Sequence, residues 1–163
     1  MIEPGTPLPN IEATDLRGRT GELADLATNG VPIVLFASAR SPLCRRLENV
    51  LESFARLDEG DYNVWVFIEG APTLVLESFP ALAGRTRCFA IPRGWDGLTS
   101  FGVEAFPAIV IGDRANCVWR SLQGWDRPAW QDLLNETEAL LGWRPTFLSR
   151  KLPGPARSPA LVG

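Results

Sequence analysis

The chain contains no histidine. That removes the usual general base, the usual zinc ligand and every Ser-His or Cys-His catalytic pair, so hydrolases and zinc enzymes of those kinds are excluded by inventory. Cysteine is scarce as well. Cys44, Cys88 and Cys117 are too few and too scattered for a disulfide framework, and an odd number leaves at least one thiol unpaired. No apolar run approaches the length of a membrane span, and Met1-Ile2-Glu3-Pro4-Gly5 has neither the basic nor the apolar region of a secretory leader. As the chain stands, a cytoplasmic location or a place on a cytoplasmic-side complex is expected, and a periplasmic one only if a leader has been removed. Basic residues are not in excess. The formal charge of −3 argues against a nucleic-acid binder, whose affinity would rest on clustered Lys and Arg.

What is present fits an ordinary globular chain: 163 residues, 45% hydrophobic and 21% charged, enough for one domain with a core that needs no staples. Charge is unevenly placed. From Arg144 to Gly163 the basic residues Arg144, Arg150, Lys151 and Arg157 stand without an acidic one, so this Pro-rich segment carries +4 and leaves −7 on the remainder. Such a tail is an interaction segment or a solvated terminus, and it is not expected to form a packed element.

One stretch organises the rest. Val31 to Ala37 is apolar and β-branched, as in a strand buried on both faces, and the segment after Pro42 has the pattern of a helix. Between them lies Ser41-Pro42-Leu43-Cys44. A thiol delivered to the first turn of a helix is expected to have a lowered pKa, because unpaired N–H groups and the helix dipole favour the thiolate. Further along, Leu47, Val50, Leu51, Phe54 and Leu57 make the core stripe of a helix from Cys44 to Leu57. Tyr62 to Ile68 and Arg87 to Ile91 read as strands, with a short helix over 73–79 between them that Thr73 would cap. Leu98 to Val103 reads as a turn or two of helix closed by Gly102, and Glu104 to Leu122 as two strands joined at 112–116. A helix follows from about Pro128 to Leu141, capped by Asp126. A hairpin turning at Leu16-Arg17-Gly18-Arg19 precedes all of these. Strands alternating with helices and ending in a hairpin indicate an α/β fold with a mixed sheet.

Two separated motifs resemble the thioredoxin superfamily, particularly its TlpA-like members and the thioredoxin-like protein of methylamine dehydrogenase maturation. Val34-Leu35-Phe36-Ala37-Ser38-Ala39-Arg40-Ser41-Pro42-Leu43-Cys44-Arg45 looks like the family's strand, Cys-Pro-x-Cys and helix. Gly102-Val103-Glu104-Ala105-Phe106-Pro107-Ala108 looks like its Gly-Val-x-x-x-Pro-Thr, whose proline is cis and faces the active-site cysteines. The resemblance implies a thioredoxin-like fold over residues 1–142, a central mixed sheet flanked by helices with an N-terminal β-hairpin extension, and leaves 143–163 as a tail.

It also sets a limit on chemistry. In the family the first cysteine attacks a disulfide and the second resolves the mixed disulfide, but here the attacking position is Ser41, whose hydroxyl is not ionised at neutral pH. The leading expectation is an accessory or structural subunit that has lost dithiol chemistry and binds a partner protein or complex, with no cofactor, no metal and no nucleic acid. The degenerate site is Ser41, Pro42, Leu43 and Pro107. Arg40, Phe106, the loop tryptophans Trp95 and Trp125, and Arg150, Lys151 and Arg157 are the candidate contacts. The alternative is a monothiol redox protein using Cys44 as its catalytic thiol, peroxiredoxin-like or a thiol-disulfide oxidoreductase. Ser41-Pro42-Leu43-Cys44 matches the end of the peroxiredoxin motif, although Ala37 stands at its proline position and Phe106-Pro107 where many peroxiredoxins have Arg-Thr. Cys88, alternating with apolar neighbours, reads as a core residue. Cys117 reads as a sheet-edge residue too far from Cys44 for a disulfide.

Overall fold

A computed structural model describes residues 1–28, 30–59, 62–85 and 87–140. The tail assigned to 143–163 lies outside the described residues. The apolar run at the centre becomes β3, Val31–Ser38, buried along nearly its whole length. Such a strand needs neighbours on both edges and cover on both faces. It pairs in parallel with β4, Tyr62–Glu69, and antiparallel with β6, Ala108–Gly112. Outside these lie β5, Arg87–Ile91, parallel to β4, and β7, Val118–Gln123, antiparallel to β6. The sheet order is therefore β5-β4-β3-β6-β7, a mixed sheet, and β1, Glu12–Thr14, with β2, Thr20–Glu22, makes a separate N-terminal hairpin.

The register of β3, β4 and β5 stacks one aromatic row across the sheet. Phe36 lies opposite Phe67 and Phe67 opposite Phe89, with ring centroids 5.7 Å and 4.8 Å apart. Phe101 meets Phe36 at 5.2 Å, and Trp65 meets Phe89 at 4.7 Å. Gly21 of the hairpin lies over the Trp65 indole, where an added Cβ would just touch the ring at 3.5 Å. Each such aromatic pair adds about 0.5–1.5 kcal/mol beyond the area it buries.

Helices cover the sheet. They are α1, Pro42–Arg46; α2, Glu48–Ala55; α3, Pro72–Ser78; α4, Pro80–Arg85; α5, Asp96–Ser100; and α6, Arg127–Leu140. The stripe expected as one helix from Cys44 to Leu57 is broken at Leu47, whose ψ of 10° leaves the helical range, and ends in a 3-10 turn, Arg56–Glu59. Its core residues are nonetheless buried as expected, and Phe54 of α2 meets Trp130 of α6 edge-on at 5.7 Å. Thr73 does not cap α3. Pro72 occupies the first turn, where a missing N–H costs nothing, and Ala71 is the cap residue. The short helix α4 begins at Pro80 in the same way, so a proline that reads as a stop is also a start. Gly102 closes α5 with φ of +64°, its N–H donating to the Thr99 carbonyl and the Val103 N–H to that of Leu98. This is the left-handed C-terminal turn for which glycine is favoured.

Candidate functional site

The turn from β3 into α1 is built by short main-chain bonds. The Ala39 N–H donates to the Glu69 carbonyl at 2.9 Å, tying the turn to the end of β4, and the Ser41 N–H donates to the Ser38 carbonyl at 3.2 Å. Ser41 is then the N-cap of α1: its backbone is extended (φ −87°, ψ 115°) and its Oγ accepts the Cys44 N–H at 3.2 Å. Pro42 follows in the first turn. The hydroxyl that stands in the attacking position is thus occupied in ending a helix, a task for which serine is among the best residues.

Cys44 is completely buried. Burial pushes its thiol pKa up; the Ser38 N–H and the Ser41 hydroxyl pull it down, and the charge of Glu69 pushes it up again, with a net rise. The helix N-terminus therefore does not deliver the thiolate expected from sequence. Desolvation by burial is the largest of these effects, because a buried sulfur loses the solvation that would favour its charged form.

Sequence reading missed Glu69. It sits at the end of β4, opposite Ser38 in the ladder, 3% exposed, and its Oε1 accepts the Ser38 hydroxyl at 3.2 Å. A lone acidic residue closing an apolar strand gives no signal in sequence, because the strand's last position is equally often solvated. Ser38 Oγ in turn accepts the Arg40 N–H at 3.2 Å, leaving the Arg40 side chain exposed at the rim.

The Phe106–Pro107 peptide is cis. Ala108 lies opposite Phe36, so Pro107, just before β6, stands at the end of the sheet where β3 turns into α1. Pro107 is buried, and its carbonyl accepts the Gly124 N–H at 2.8 Å. The other candidate contacts divide. Phe106 is 5% exposed and Trp125 2%, so both are core residues rather than surface anchors. Trp125 lies 5.6 Å from Trp130, and the loop that carries it folds back under α6. Trp95 is half-buried, stacked on Phe67 at 4.9 Å, which ties it to the aromatic row. Arg150, Lys151 and Arg157 lie outside the described residues.

All three cysteines are free. Cys88 is buried in β5, where burial and the nearby Asp15 charge push its thiol up to about 12. Cys117 is half-exposed just before β7, the sheet edge farthest from β5. Asp15 itself is displaced the other way: burial pushes its carboxyl up, but the Arg19 and Arg17 N–H groups and the Arg19 guanidinium, 3.1 Å away, hold it below the usual carboxylate range. Among the described residues no three His, Cys, Asp or Glu side chains come together as a metal site would require, and no helix is long and apolar enough to cross a membrane.

This architecture recurs in solved structures. The thioredoxin domain of a thiol-disulfide oxidoreductase from Bacteroides vulgatus superposes with a TM-score of 0.69 at 18% identity, over 86% of this chain and 99% of that one. A thiol:disulfide interchange protein from a Bacteroides species gives 0.68 at 16%, over 88% and 93%. A hypothetical protein from Sinorhizobium meliloti 1021 gives 0.72 at 17%, over 98% and 93%. The chain has the thioredoxin fold, with its cysteines unpaired and not adjacent. No protein-family model matches the sequence. No curated protein matches it either.

Proposed function

We propose that this chain is a thioredoxin-fold accessory or structural subunit that has lost dithiol chemistry and binds a partner protein or complex. One observation carries the reading: of the two positions that would exchange disulfides, Ser41 is a helix cap and Cys44 is buried with its thiol pushed up. Exchange needs a thiolate that a partner's sulfur can reach in line. The burial of Cys44 and its raised pKa both weigh against that requirement. The neighbours named for thiol-disulfide chemistry share the scaffold, and this chain keeps it for contact. Within the superfamily the Ser41-Pro42-Leu43-Cys44 turn and the N-terminal hairpin favour the TlpA-like or methylamine dehydrogenase maturation branch. The exposed Arg40 and Pro42 offer the contact face, on a domain of residues 1–142, with the basic tail 143–163 as a second contact. The monothiol reading, in which Cys44 attacks peroxide or a disulfide and an external thiol resolves it, has the burial of Cys44 against it.

The test is a thiol titration with peroxide kinetics on wild type and Cys44→Ser, beside identification of proteins that accompany the chain at native abundance. An inert Cys44 with a co-purifying subunit is expected, and fast peroxide consumption lost in the variant would overturn the reading. Ser41→Cys adds a check: regained reduction of insulin disulfides would show that only the nucleophile is missing.

A further inference from the structure

A main-chain bond ties the hairpin to the sheet, and beyond it the two part. The Leu16 N–H donates to the Cys88 carbonyl at 2.9 Å, which pins the hairpin against the outer edge of β5. Beyond the pin a cleft of about 320 Å³ is lined by Glu12–Thr14 and by Phe89–Pro92, together with Trp95.

Ladder parity shows what its walls present. Ile91 faces β4, since its carbonyl accepts the Gly70 N–H, so Cys88 and Ala90 turn their main-chain groups outward. On the hairpin, the Asp15 N–H donates to the Arg19 carbonyl and the Leu23 N–H to that of Ile11. By the antiparallel alternation Ala13 then faces Gly21, while Glu12 and Thr14 turn their N–H and C=O groups away from β2. None of these outward groups at Glu12, Thr14 or Ala90 has a main-chain partner among the described residues. A strand edge left open on both walls of one cleft is a template for a third strand.

Of the residues that line the cleft, Glu12 alone is charged. Glu12 and Glu22 stand directly opposite each other in the hairpin, both exposed, with no ion pair among the described residues. Like charges so placed repel, and a cation beside them would relieve that.

We propose that β1 and β5 form a slot for an extended, basic segment of a partner protein, which pairs with Thr14 and Ala90 through its main chain and sets Lys or Arg beside Glu12 and Glu22. The inference rests on the partner-binding reading only for the existence of a partner. It makes no use of Cys44 or Pro107, so a reactive Cys44 would leave the slot standing and an empty slot would leave the thiol result standing.

The experiment is amide hydrogen exchange, read by NMR on the full chain, with a capped Lys-Val-Thr-Val-Lys peptide as probe. The Thr14 and Ala90 amides should exchange quickly in the free protein, while Phe89 and Ala13 stay protected, and the peptide should slow them saturably. Replacing both lysines of the probe by glutamate should weaken binding at least tenfold. Ala90→Pro, which deletes the outward N–H, should do the same with little change in melting temperature. Should that variant not fold, N-methylation of the probe's central residue makes the same test on the unaltered protein. Slow exchange at Thr14 and Ala90 without peptide would show the strands closing on each other and overturn the proposal. So would equal binding of the acidic probe, or protection that grows with protein concentration alone, which would assign the edge to a second copy of the chain.

Discussion

Ser41→Ala separates a structural serine from a chemical one. The helix it caps is only Pro42–Arg46, and of its first-turn donors Pro42 has none, Arg45 reaches the Ser41 carbonyl at 3.1 Å and Cys44 reaches the Ser41 hydroxyl. Removing the hydroxyl strands the N–H of a completely buried residue. An N-cap is worth about 1 kcal/mol, and the lost partner of a buried donor moves the expected cost towards about 2 kcal/mol. For a chain of this size that is a fall of roughly 4–8 °C in melting temperature. Ser41→Gly, which gives up the same hydroxyl but lets water reach the helix end, should cost only a few tenths of a kcal/mol. Urea unfolding followed by tryptophan fluorescence would measure both. Because the same hydroxyl also pulls the Cys44 pKa down, Ser41→Ala should leave that thiol less reactive. A variant as stable as wild type to within about 0.5 kcal/mol, or one whose Cys44 gained reactivity, would refute the reasoning.

Three further outcomes can be checked with the same protein. Burial pushes the Glu138 carboxyl up, and its Oε1 has no hydrogen-bond partner among the described residues. The fold therefore favours the protonated form, and stability held below the unfolded-state pKa is lost as pH rises through the folded value; Glu138→Gln should flatten that loss in urea midpoints taken from pH 4 to 8, and a wild-type midpoint rising over the lower part of this range while Glu138→Gln stays flat would contradict it. An aromatic disulfide reagent at pH 8 should titrate one thiol quickly in the native protein, the half-exposed Cys117, and three in urea, since Cys44 and Cys88 are buried with raised pKa values. A second fast thiol surviving in Cys117→Ser would count against this. Gly112→Ala would set a Cβ 2.6 Å from Pro32 Cγ and 2.8 Å from Leu8 Cδ1, an overpacking expected to cost about 1–3 kcal/mol by thermal or urea unfolding, and a neutral result would show that this corner is loosely packed.

The fold was legible where the physics is local or periodic. Val31–Ser38 and Arg87–Ile91 declare themselves by β-branched and apolar runs, and the stripe from Trp130 to Thr137 by its spacing. What sequence could not show depends on how elements close over one another. Trp125 lies next to a glycine turn and reads as a surface anchor, yet α6 folds onto it; Phe106 neighbours the exposed Glu104 but turns inward before Pro107. Cys44 shows the same gap most sharply. Its place in a first turn is visible in Ser41-Pro42-Leu43-Cys44, whereas its complete burial and the nearby charge of Glu69 arise only in the fold. Glu69 was invisible for a related reason, since its meaning arises only from the register that sets it against Ser38.

The position of β3 also governs how the molecule can be made. Its parallel neighbour β4 follows soon after it in the chain, but the other edge waits for β6, where Val34 lies opposite Val110. While residues between them are still being synthesised, β3 carries a long, uncharged edge with half of its main-chain partners missing. Edges of that kind recruit foreign strands, and contacts so distant in sequence form late. A nascent or truncated chain ending before Ala108 should therefore aggregate or hold chaperones, and folding should become protective only once the antiparallel half of the sheet has left the ribosome.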